Sequence, residues 1–266
     1  MINSIIKTIA LTLGTPLTIT ATYLLYLNYK VSPHVTAATK IRRSPSDKTL
    51  FGILKPTCIP SDVADENAQC ILAYERVTSQ PLPQSQLHIP DVESLLTRYI
   101  RATMTAFSYT PQVFLLKRMM PKDASIAETF DRERIQALMF EVGDRVHGVW
   151  RVAYRGDSGF DTGLRKCHRI ELAMEAPPEY NGPVVEGVVV VGVEEVDEGH
   201  VRFVNETWMW RRTGEKKAML ESAAGRWFHT LLSGWLVKRG VEELVAEAGK
   251  VMGVESSVSN ISRKRV

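Results

Sequence analysis

Three stretches of the 266-residue chain hold acids, bases or aromatic rings at spacings suited to chemistry. Gly143-Asp144-Arg145-Val146-His147-Gly148 places an acid, a base and an imidazole on a turn. If Asp144 orients His147 at a pocket mouth, the pair suits proton transfer; a solvated turn with an edge histidine is the plainer reading. Arg169 and Glu171 lie two apart on one strand face, as do Glu206, Trp208 and Trp210. A carboxylate buried beside tryptophans has a raised pKa and can act as a general acid. Cross-strand ion pairs on a solvent face are the alternative. The candidate catalytic residues are therefore Asp144, His147, Arg169, Glu171 and Glu206. Trp150, Tyr154, Asn205, Trp208, Trp210 and Trp227 are candidate walls of a substrate pocket, with plain core as the alternative for the four tryptophans.

Familiar catalytic signatures are missing. The chain has no GxSxG, no Walker loop, no GxGxxG after a strand and no HExxH. Its six histidines never fall at ligand spacing, so neither a metal nor a cofactor is expected. Cys58, Cys70 and Cys167 give an odd count without a close pair, which points to reduced thiols and leaves room for one Cys58–Cys70 bridge or a reactive thiol. With 33 basic and 30 acidic residues, the net charge of +3 is too small to favour nucleic acid as a partner.

The elements that must position these residues follow from periodicity. Val92, Leu95, Leu96, Tyr99, Ile100, Thr103 and Phe107 form one helical stripe behind Asp91 as N-cap. Thr110-Pro111 opens a second helix, and Ser125 with Glu128 matches a capping box for a short third. The period then changes to two over 146–154 and 167–175, with Val184–Val196 as a strand covered on both faces. Asp197-Glu198-Gly199 turns into a strand over 200–212. A helix from about Ala218 carries Leu220, Ala224, Trp227, Phe228, Leu231 and Trp235, with Gly240 as its stop. The sum is an α+β domain over 91–248, with about four antiparallel strands in a curved sheet and a long C-terminal helix packed on it. This shape is similar to the helix-grip and nuclear-transport-factor-like classes, and such a sheet leaves an apolar pocket under its helix.

Ahead of the domain, Thr8–Tyr29 is a run of 22 residues without a charge. As a helix it spans roughly 33 Å, enough for a bilayer core of about 30 Å. Residues 1–30 are accordingly read as a membrane anchor; a cleaved signal peptide and a buried helix are the alternatives. Lys30, Lys40, Arg42, Arg43 and Lys48 follow the run and Lys7 precedes it, which puts the bulk of the chain in the cytosol on an internal membrane such as the endoplasmic reticulum. The sequons at Asn205 and Asn260 argue the other way, although Asn205 falls inside a strand. Residues 31–90 hold seven of the thirteen prolines and read as a partly ordered tether. Residues 249–266 end in Arg263-Lys264-Arg265 and read as a basic tail.

Four stretches carry a resemblance: Thr129-Phe130-Asp131, Gly143–Trp150, Phe203-Val204-Asn205-Glu206-Thr207-Trp208-Met209-Trp210-Arg211 and Gly225-Arg226-Trp227-Phe228-His229. Over residues 91–245 the chain resembles a family of uncharacterised fungal proteins that accompany specialised-metabolite pathways. The resemblance implies a place in terpenoid or polyketide biosynthesis and carries over no catalytic residue. The expected function is a metal-free cyclase or isomerase acting on an apolar small molecule, with the lipid bilayer and membrane-bound oxidases of the same pathway as partners. A non-catalytic binder of hydrophobic ligands and a scaffold for pathway enzymes are the alternatives.

Overall fold

A computed structural model describes residues 18, 20–89, 91–158, 167–180, 182 and 186–263. Eight strands form one antiparallel sheet: β1 (Val35–Arg42), β2 (Cys70–Ser79), β3 (Leu82–Pro83), β4 (Arg145–Val146), β5 (Trp150–Ser158), β6 (Cys167–Met174), β7 (Glu186–Asp197) and β8 (His200–Arg212). The spatial order is β1-β2-β8-β7-β6-β5-β4, with β3 beside β8. The expected four strands are thus corrected to eight. The prolines of 31–90 hid the difference, because they flank β2 at Pro56, Pro60, Pro81 and Pro83 and leave its ten residues free to pair. Both β1 and β2 lie in the stretch read as a tether.

Helix α1 covers 20–31, and α2 (Ser61–Ala64) follows β1. Among the described residues no helix is long and apolar enough to cross a membrane. This corrects the expected anchor, and with it the single-pass placement in the endoplasmic reticulum. The twelve residues 20–31 extend only about 18 Å as a helix; the run up to residue 17 lies outside the described residues.

The sheet has two covered faces. The remaining helices are α3 (Val92–Phe107), α4 (Pro111–Met119), α5 (Ala124–Glu128), α6 (Arg132–Ala137) and α7 (Ala223–Arg263); α3 and α7 cover the helical face and make the main contacts with the strands, and α6 packs on α3. Asp91 caps α3 through the amides of Glu93 and Ser94. Leu95, Leu96, Tyr99, Ile100 and Leu244 pack there on Ile170, Leu172, Val191, Val193 and Phe203. The outer face is covered by the chain between β1 and β2, whose Leu50, Ile59, Val63 and Ala68 pack on Leu72, Tyr74, Val188, Val190 and Trp208.

Helices α3 and α7 run antiparallel. Arg98 meets Glu247 at 3.6 Å, while Tyr99 and Thr103 meet Gly240. Gly240 therefore does not stop the helix but lets α3 approach: a Cβ there would lie 2.6 Å from Tyr99 and 2.8 Å from Thr103. Gly240→Ala is expected to cost about 1–3 kcal/mol by overpacking. Gly249→Ala, with nothing within 4 Å of its Cβ, should instead stabilise by up to about 1 kcal/mol. Urea unfolding of the two variants checks both signs.

Candidate functional site

On the outer face, registered pairing brings several of the sequence candidates into one row. Arg76, Glu206, Val190, Glu171 and Tyr154 stand side by side on β2, β8, β7, β6 and β5. Tyr154 reaches this face because the register shifts between Val152 and Tyr154. Glu206 accepts from Tyr74 Oη at 3.2 Å, from Trp208 Nε1 at 3.3 Å and from Arg76. Glu194 binds Arg76 and Arg202. Burial works to raise the Glu194 pKa, but the two guanidiniums hold it below the usual carboxylate range. Two acids facing two arginines are charge-compensated, so this layer fastens strands together.

Glu171 is fully buried and fastens the outer cover. Its oxygens accept the backbone amides of Thr57 and Cys58, each at 2.9 Å, and Arg169 stands 2.8 Å away. Arg169 also lies over the Tyr154 ring. Burial, reinforced by Glu171, pushes the Cys58 thiol up to about 12, which keeps it protonated and unreactive. Trp208 and Trp210 complete the apolar cluster on this side.

The remaining candidates lie elsewhere. Asp144 accepts the amide of Glu141, while His147 Nε2 sits 2.9 Å from Ser108 Oγ, so the acid does not orient the imidazole. His147 and Gly148, at φ 50° and 73°, turn the chain between β4 and β5 and break the strand expected over 146–154. Asn205 is on the helical face, accepting from Tyr99 Oη at 3.0 Å. Trp227 is exposed on α7, on the flank it shares with Gly234, where α7 meets Val31 and Val35. Trp150 is half-buried against the helical-face core.

His147 has a thermodynamic consequence. Wholly buried between Phe107 and Phe130, with Nδ1 unpartnered, it is pushed by burial from 6.5 down to about 4. Protons then bind the unfolded chain first, so its contribution is intact above the unfolded pKa and is lost as pH falls toward the folded one. The loss should reach about 3 kcal/mol near pH 4. Urea unfolding from pH 7 to 4 should show it, and His147→Asn, which tolerates the left-handed backbone, should flatten that part of the slope.

A second constellation on the helical face was not anticipated. Glu75, on β2, is 1% exposed and meets α7. Its Oε1 lies 2.6 Å from His229 Nδ1 and its Oε2 accepts from Thr230 Oγ1 at 2.5 Å, with Ser233 Oγ 3.3 Å from the same nitrogen. A carboxylate at this position favours the tautomer with its proton on Nδ1, and in a neutral imidazole of that form the lone pair is on Nε2. Among the described residues nothing hydrogen-bonds Nε2, and the side chain is 12% exposed.

His229, Ser233, Leu236 and Gly240 recur at three- and four-residue spacing on the flank of α7 that turns to α3. Helix α3 ends at Phe107, one turn beyond Thr103, so the part of α7 that carries His229 runs past its end. The strands beneath record this. Val191 and Val193 are completely buried, whereas Val189, on the same face of the same strand, is only half-buried. Val189 pairs with Thr207, which pairs with Glu75. In the next row, Trp150 and Met174 are also half-buried. Past the end of α3 the sheet is thus incompletely covered at Val189, Trp150 and Met174, an apolar opening on the same face that carries the Glu75–His229 pair. The surface hollow lined by Arg42, Lys48, Leu50 and Phe51, and the open one at the β7–β8 turn, touch none of these residues.

No family model, curated protein or solved structure matches the chain.

Proposed function

We propose that the protein binds an apolar small molecule in the opening beside α7 and moves a proton on it, as a cofactor-independent isomerase or cyclase does. The observation that carries this reading is the Glu75–His229 pair, with Nδ1 held at 2.6 Å by a buried carboxylate and Nε2 left open. Such a carboxylate fixes the tautomer and stabilises the imidazolium once formed, so Nε2 acts as a general base. It takes a proton from one position of the substrate and returns it at another, which leaves the redox state unchanged. Trp150, Met174 and Val189 supply apolar contact, and the Thr207 hydroxyl a polar one. The resemblance to fungal proteins of specialised metabolism adds a terpenoid or polyketide intermediate as the substrate class.

The test is incubation of the purified full chain with an apolar extract from cells lacking the gene, in H2O and in D2O, followed by mass spectrometry. The reading predicts one compound converted to an isomer of equal mass that gains deuterium in D2O. Recovery of a bound compound unchanged in both solvents would make the protein a carrier instead.

A further inference from the structure

Resting on this proton-transfer reading, we propose that the substrate is an apolar acid whose carboxylate is held by Arg226. Arg226 precedes His229 by three residues, so the two side chains are neighbours on α7, about 4.5 Å apart along its axis. Its Nη1 lies 3.5 Å from the carbonyl of Leu220, which packs on Ala73 and Met209. Those two residues pair in the row next to Glu75 and Thr207, so Leu220, whose carbonyl Arg226 reaches, packs one strand row from the base.

The charge there is uncompensated. Arg226 is half-buried, yet among the described residues no carboxylate forms an ion pair with it. By contrast Arg211 is taken by Glu221, and Lys238 and Arg239 by Glu242. The first turn of α7 carries no acid. From Arg211 to His229 there are five basic and two acidic residues, a local excess that draws anions toward the opening. A planar guanidinium with donors to spare matches a carboxylate, and a charge-assisted contact of this kind discriminates it from a neutral ester. The carboxylate would then anchor one end of the substrate while Nε2 of His229 faces the carbon chain.

Fluorescence titration of the full chain with dansyl-labelled undecanoic acid and with its methyl ester tests this. The acid is expected to bind about tenfold more tightly than the ester. Arg226→Gln should remove that preference and leave the ester's affinity unchanged, while His229→Asn should keep it. Equal binding of acid and ester, or a preference that survives Arg226→Gln, would overturn the carboxylate assignment and leave the apolar site standing. Failure of both probes to bind would overturn the assignment together with the reading beneath it.

Discussion

His229→Asn is expected to lower turnover by about 10²–10⁴-fold, the usual range for loss of a general base. The asparagine amide falls close to the Nδ1 position, so it preserves a donor to Glu75 and limits the damage to the fold. The variant should therefore still bind the apolar substrate. Glu75→Gln should lose as much by a different route. Its amide no longer enforces an Nδ1–H imidazole, and the lone pair at Nε2 is no longer guaranteed; an equivalent exchange in a serine protease triad costs about 10⁴-fold. Imidazole nitrogen chemical shifts should report a protonated Nδ1 and a bare Nε2 in the wild type, and a mixture in Glu75→Gln. A purely structural pair would show the shift change without the loss of turnover.

Glu171→Ala should destabilise the protein by about 3–5 kcal/mol, because it strands the buried Arg169 and leaves two backbone amides without an acceptor. Those amides, from Thr57 and Cys58, belong to the cover of the outer face. Hydrogen exchange of residues 50–69 should accelerate before the rest of the sheet opens. Urea unfolding supplies the magnitude. A cost below about 1 kcal/mol would mean that the cover is held by Leu50, Ile59 and Val63 rather than by the carboxylate.

Helices α3 and α4 and the β7–β8 hairpin were legible because each carries its own period, cap or turn, whereas α6 and the full length of α7 were not. Asp91 and the stripe from Val92 to Phe107 specify α3, and Asp197-Glu198-Gly199 specifies the reversal into β8. Strand β2 was not legible, since the prolines around it dominate the composition of 31–90. Its inward face did hold a sign: Ala73, Glu75 and Val77 alternate, and a lone acid amid apolar neighbours on one strand face must find a partner. That partner stands 154 residues away, within an arc of Trp227, Phe228 and Leu231 that reads as core, so no local pattern joins the two. On the outer face the grouping of Arg169, Glu171, Glu206, Trp208 and Trp210 was legible from period two. What they do was not: alternation gives the face a residue points to, not whether a loop covers it.

The most direct test of a proton-transferring Glu75–His229 pair works before any substrate has been identified. In the organism that carries the gene, the chromosomal copy is deleted and replaced by wild type, His229→Asn or Glu75→Gln at matched protein levels, and apolar metabolites are compared by mass spectrometry. The deletion is expected to lose one product family and accumulate its unrearranged precursor. Wild type should restore the product, and both variants should leave the precursor in place. Full restoration by His229→Asn would contradict the assignment of His229 as the base.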